Sequence, residues 1–305
     1  MGGRAARGAI VVLALLAGYA PPASAWLSEG HRRVGVAAVE MAADSLPPFF
    51  VAGAATVGHV AVDPDIWKNV ETPELRFGEE PNHYLDAEAL PPGELPRTRM
   101  EYLAFLAASG RTLPEVGSLP YSVIESTERL ALCFAEHRKW PENPHVGVKC
   151  LVYAGWLAHY AADLAQPLHT TIHHDGWALP NGSSPLVGFH KRVDALIERA
   201  PFDADGALEG LAPEPFADLR AGVLDQLASS RALVDRTYRL EALLSGPEPR
   251  WEDAEVAAWA CDRYRASVGF VARLLVTAWE SSKSLKVLPG VERETGAPER
   301  ARGDR

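Results

Sequence analysis

His159-Tyr-Ala-Ala-Asp163-Leu-Ala-Gln-Pro-Leu-His169, followed by Gly188-Phe-His190-Lys-Arg-Val-Asp194, is the stretch that decides how this chain reads. His159/Asp163 and His190/Asp194 are spaced i,i+4, which on a helix sets both side chains on one face. Imidazole nitrogen and carboxylate oxygen are the ligands zinc takes when thiolates are not used. A single such pair is equally well a buried His–Asp hydrogen bond. Two pairs with His169 between them point to more than one metal ion, and so to hydrolytic chemistry.

The flanking sequence is helical. Residues 147–165 run up to Pro167, which ends or kinks a helix, and Pro144 lies just upstream. Residues 30–45, closed by Pro47-Pro48, carry apolar residues at helical spacing. So do 98–110, 121–139 with Ser122 as a cap, and two long stretches, 213–244 and 251–284. Residues 58–90 and 170–186 are rich in turn formers and read as loops, the first with short helical turns. Alternating Val/Ile runs are nearly absent. The expected fold is all-α, a single-domain multi-helix bundle with long loops.

Residues 1–25 read as a signal peptide: Arg4 and Arg7, the apolar run from Ala9 to Ala20, and the small residues Ala23-Ser24-Ala25. The run is too short for a comfortable membrane span, and no later segment is apolar enough for one. Cleavage after Ala25 leaves Trp26 as the first residue of a secreted or periplasmic protein. The domain is then expected over 26–287, with a charged, disordered tail over 288–305. A formal net charge of −10 argues against a stable duplex DNA complex driven by charge. Cys133, Cys150 and Cys261 form no zinc-thiolate pattern. A Cys133–Cys150 disulfide and three buried thiols both remain open.

Further candidates lie upstream. A freed α-amino group at Trp26 and its own carbonyl can chelate a metal, since the amine has a pKa near about 8, and His31 is one short turn away. Asp63-Pro-Asp65-Ile-Trp-Lys68 is an acidic loop, and His83 stands alone before Tyr84 and Asp86. His173 and His174 read as exposed loop residues.

These residues resemble a superfamily that contains the secreted single-strand-specific zinc nucleases of fungi and plants and the bacterial zinc-dependent phospholipases C. Trp26, His31, Asp65, His83, His159, Asp163, His169, His190 and Asp194 fill its metal positions in order. The resemblance implies three zinc ions. Asp65, His83, His159 and one oxygen of Asp163 would hold the first. His169, His190 and Asp194 would hold the second, and Trp26, His31 and the other oxygen of Asp163 the third. Asp65 is preferred to Asp63 because Lys68 then stands where the nucleases carry an arginine facing the phosphate. Lysine keeps that charge and loses the bidentate fork.

The mechanism implied is attack on phosphorus by a hydroxide bridging two metals, with Asp65 orienting it and Lys68 stabilising the phosphoryl charge. Two substrates fit. For single-stranded nucleic acid or nucleotides, Tyr84 would stack on a base and Asp86 would accept from its edge; Asp194 is also the nuclease-type ligand. For a phospholipid surface, Gly188–Asp194 and the helix ending Phe270–Trp279 look more like the phospholipase segments. The leading expectation is a nuclease or 3′-nucleotidase, the alternative a phospholipase C, and the minor one a non-catalytic exported zinc-binding protein.

Overall fold

A computed structural model describes residues 26–90, 94–181 and 183–292. The export signal expected over 1–25, Gly182 and most of the expected tail lie outside these residues. The described chain is all-α. Its helices are α1 (Ser28–Met41), α2 (Pro48–Ala52), α3 (Ala54–Val60), α4 (Asp63–Ile66), α5 (Pro73–Glu79), α6 (Arg99–Ala108), α7 (Leu113–Val116) and α8 (Leu119–Lys139). There follow α9 (Pro144–Ala165), α10 (Phe189–Asp194), α11 (Leu196–Arg199), α12 (Ala204–Leu208), α13 (Leu219–Arg231), α14 (Val234–Tyr238), α15 (Glu241–Leu244) and α16 (Ala254–Ser281). Among the described residues the only β pairing is an isolated bridge between Leu85 and Gly117, and no helix is long and apolar enough to cross a membrane.

The helix starts follow local chemistry. Asn143 accepts from the amides of His145 and Val146, and Pro144 takes the first helical position, where no amide is needed. Thr98 and Glu101 form a reciprocal capping box on α6. Ser122 is not the cap of α8. The helix begins earlier, at Leu119-Pro120, and the Ser122 hydroxyl is turned to Asn82 and Arg99 instead.

The long helix expected over 213–244 is broken into α13, α14 and α15. Pro213 and Pro215 hold the chain extended before Asp218, which caps α13. Further on, tertiary contacts override the periodicity. The Ser230 hydroxyl donates to the Leu164 carbonyl (2.6 Å), Tyr238 stacks on Phe189, and Arg192 reaches the Leu244 carbonyl (2.6 Å). These contacts bend the segment around α10.

α9 is the central helix, packed by α1, α3, α8 and α16. From Ala154 onward nearly every side chain is buried, so its small residues let neighbours approach closely. Gly155 is the tightest point: a Cβ there would stand 2.5 Å from Val60 Cβ. The same all-round burial takes His159 and Asp163 out of water. Cys133 on α8 and Cys150 on α9 are buried, free and hydrogen-bonded to each other, and Cys261 is a third free thiol.

Candidate metal centre

Six segments bring the candidate residues together. α1 supplies His31, and its entry is fixed on both sides. The first-turn amides of Glu29 and Gly30, which have no partner within the helix, donate to Glu198 Oε1 (2.7 and 3.0 Å). Trp26 is fully buried, and its indole donates to the Ala162 carbonyl (3.1 Å), one residue from Asp163. Asp65 sits on α4, His83 ends a 3-10 turn (Glu80–His83), and α9 presents His159 and Asp163 one turn apart. Pro167 starts a second 3-10 turn (Pro167–Thr170) that turns His169 back toward α9, and α10 carries His190 and Asp194.

The result is three groups, each with ligand atoms within 4.8 Å of one another: Asp65, His83 and His159; His169, His190 and Asp194; and His31, His159 and Asp163. Asp163 faces two of them. Its Oδ2 is 3.0 Å from His83 Nδ1 and 3.4 Å from His159 Nε2, while Oδ1 is 3.2 Å from His31 Nε2. Asp65, and not Asp63, stands in the first group, with Oδ1 3.9 Å from both His83 Nδ1 and His159 Nε2. Trp26 comes to the site through its indole. Its main-chain nitrogen is a peptide nitrogen in the full chain, and the third group contains His159 in its place.

The ring orientations are set from behind. His159 Nδ1–H donates to the Ala61 carbonyl (2.7 Å) and His169 Nδ1–H to the His83 carbonyl (2.5 Å), so both turn Nε2 inward. Gln166, which the sequence reading passed over, donates from Nε2 to Asp194 Oδ1 (2.6 Å) and accepts the Leu168 amide at its other end. Glu79 was missed too, although it lies four residues before His83. It is buried and accepts from His83 Nε2 (3.2 Å) and the Tyr160 hydroxyl (2.5 Å).

Atoms left over on the inward side test whether these residues suit a metal. His31 Nδ1 and Nε2, Asp163 Oδ1, His169 Nε2, both nitrogens of His190 and Asp194 Oδ2 are buried without a hydrogen bond. Unmet buried polar atoms cost roughly 1–3 kcal/mol each. One such atom from each ring, together with the carboxylate oxygens, lies within the three groups and fits divalent cations bound by nitrogen and oxygen.

Charge states at His31 and His190 agree with that fit. Burial, then the charge of His159, pulls His31 down to about 4. Burial, then His169 and His174, holds His190 well below the ordinary histidine value. Both are neutral imidazoles at pH 7, the form that ligates. Burial alone would raise Asp65, but Lys68 and the neighbouring histidines outweigh it and hold it at about 2. Burial raises Asp194 to about 7 against the opposing pull of His169.

A cleft of about 340 Å³ opens onto two of these groups, lined by Lys68, His83, Tyr84, Asp86, His169, His174 and His190. Lys68 Nζ is 2.6 Å from Asp65 Oδ1. The Tyr84 hydroxyl donates to the Pro114 carbonyl (2.6 Å), which fixes the ring against the cleft wall. Burial, then Glu88, raises Asp86 to about 7. His174 is not the exposed loop residue expected from sequence; it is half-buried in the cleft beside His190 (ring centroids 5.7 Å apart). A larger groove of about 690 Å³ between α13 and α16 contains none of the three His/Asp groups.

No family model and no curated protein matches the chain. Among solved structures the chain is similar to alpha toxin from Clostridium absonum, at 14% identity and a TM-score of 0.44, over 85% of this chain and 67% of that one. A likeness of that size leaves the activity to be argued from the site itself.

Proposed function

We propose that this chain is an exported, zinc-dependent phosphodiester hydrolase that takes single-stranded nucleic acid or nucleotides, acting as a nuclease or 3′-nucleotidase. The observation that carries the reading is a set of three His/Asp groups, two of them linked through His159 and the two oxygens of Asp163, with His83, His169 and His190 lining one cleft that also holds a lysine. A storage or transport site needs neither the linkage nor the cleft.

Three zinc ions would be held by the three groups, with the freed Trp26 amine completing the one that contains His31. Zinc bound there supplies Lewis acidity toward the phosphoryl oxygens and lowers the pKa of water near it. The chain's own residues do the rest. Asp163 fixes the spacing between two groups by presenting one oxygen to each. Asp65 is held ionised by its neighbours and can orient an attacking water. Lys68 brings a fixed positive charge to the phosphoryl group, worth most where water is excluded. Tyr84 offers a ring face for stacking, and Asp86 a hydrogen-bonding edge, on the same wall.

One observation favours phospholipid as a second reading. Ile66, Val70 and Phe77 lie near Lys68 in sequence, Trp177, Leu179 and Val187 lie in the segment between His174 and His190, and all six are exposed. Exposed apolar side chains in the segments that supply the cleft residues suit a lipid surface better than a nucleotide. The two readings separate in one experiment on the zinc-loaded chain beginning at Trp26, with His159→Ala as the blank. Cleavage of single-stranded RNA or DNA without release of diacylglycerol from phosphatidylcholine supports the first. The reverse result replaces it with the second, and cleavage of neither removes both.

A further inference from the structure

His83 differs from the other inward-facing histidines. His159 and His169 donate from Nδ1 to main-chain carbonyls and turn Nε2 toward the groups. His83 is reversed: Nδ1 points inward, 3.0 Å from both Asp163 Oδ2 and His159 Nε2, and Nε2 points back to Glu79 Oε1. A carboxylate only accepts hydrogen bonds, so Glu79 calls for a proton on Nε2, which puts Nδ1, the nitrogen facing Asp163 Oδ2 and His159 Nε2, on the side where a metal ion would bind.

Glu79 is itself fixed. Tyr160 donates to the same Oε1, and Asn82 Nδ2 donates to Oε2 (3.3 Å). Asn82 Oδ1 accepts in turn from Arg99 (2.9 Å) and from the Ser122 hydroxyl (3.0 Å), and Arg99 is paired with Glu125 (2.9 Å). The chain of contacts runs from α8 through α6 to the 3-10 turn that ends at His83. A buried carboxylate needing only satisfaction has that from Tyr160 and Asn82. Its alignment on His83 is an additional feature.

We infer that Glu79 is a positioning residue: it fixes the tautomer and ring orientation of His83, and so builds the group formed by Asp65, His83 and His159. The inference rests on the proposed metal site, but it makes a statement about the metal-free protein as well. Carboxylates behind ligand histidines typically account for about 10–100-fold in metal affinity.

The test has two readouts, neither of them turnover. Long-range 1H–15N spectra of metal-stripped protein, with His83 assigned by His83→Gln, report which ring nitrogen carries the proton. Competition with a chromophoric chelator reports zinc affinity site by site. Protonation at Nε2 is expected in the wild type. Glu79→Ala is expected to lose roughly 10–100-fold in affinity at one site, leaving the site at His169, His190 and Asp194 unchanged. Tyr160→Phe, which keeps the Glu79–His83 contact, should lose much less. Glu79→Gln preserves the shape if the alanine variant does not fold, and it too should bind the one zinc more weakly. An Nε2 without a proton in the wild type, or wild-type affinity at every site in a folded Glu79 variant, overturns the inference. A wild type that binds no zinc yet shows Nε2–H at His83 instead removes the proposed function and leaves the positioning of His83 standing.

Discussion

Zinc should stabilise this fold strongly, and the group at His169, His190 and Asp194 allows the size to be worked out. Three of its buried atoms, His169 Nε2, His190 Nε2 and Asp194 Oδ2, have no hydrogen bond in the metal-free protein. At about 1–3 kcal/mol for each unmet atom, satisfying them is worth at least about 3 kcal/mol. For a domain of this size that corresponds to a rise in Tm of roughly 6–12 °C. The assay is thermal unfolding of metal-stripped protein with and without saturating zinc, repeated on His190→Ala, where this contribution should vanish. The pH dependence has a definite sign. In the metal-free protein the Asp194 carboxyl is raised by burial to about 7, so between the ordinary carboxylate range and pH 7 the folded state holds a proton the unfolded state lacks. Metal-free stability therefore falls as pH rises through that window. Zinc must displace the same proton, so the zinc-induced rise in Tm should be larger at pH 8 than at pH 5.5. A shift below one degree in the wild type, or a full shift in His190→Ala, would refute the reasoning.

Four other outcomes are expected. Lys68→Ala should keep its full zinc content by metal analysis while turnover falls by about 10²–10³-fold, the usual effect of removing one charge-stabilising donor. Tyr84→Ala should weaken nucleotide substrates by roughly 1–3 kcal/mol, read as KM, and Asp86→Asn should flatten any pH dependence of KM near pH 7, where Asp86 titrates. Gly117→Ala should destabilise by roughly 1–3 kcal/mol for the backbone alone, seen as a lower denaturation midpoint, because Gly117 has φ +80° and a Cβ there would stand 2.1 Å from the Tyr84 carbonyl oxygen.

Much of the site could be read from the chain because its chemistry is written in spacing. His159/Asp163 and His190/Asp194 are neighbours on their own helices, so an i,i+4 pattern was enough to find them. Pro167 marks the turn that swings His169 inward. The supporting residues were harder. Gln166, Glu198 and Arg99 act across 28, 168 or 169, and 17 to 26 positions of sequence, and no local pattern announces such contacts. Glu79 did leave a signal, a carboxylate four residues before a candidate histidine, but the intervening Pro81 hid it from a helical reading. His174 looked exposed because burial in a cleft depends on what packs over its loop, here Tyr238, which accepts from the Gly176 amide (2.8 Å) and donates to the His173 carbonyl. The breaks at α14 and α15 have the same origin: the 213–244 periodicity is helical throughout, and contacts with α10 and Leu164 decide where it bends.

The central claim is that the three groups bind metal in order to hydrolyse a phosphodiester. The most direct measurement is the rate of phosphodiester cleavage as metal-stripped protein beginning at Trp26 is titrated with zinc. The account predicts no cleavage without metal and full activity as the third equivalent binds. Activity that persists in excess chelator, or three bound zinc ions with no cleavage of nucleic acid or phospholipid, would contradict it.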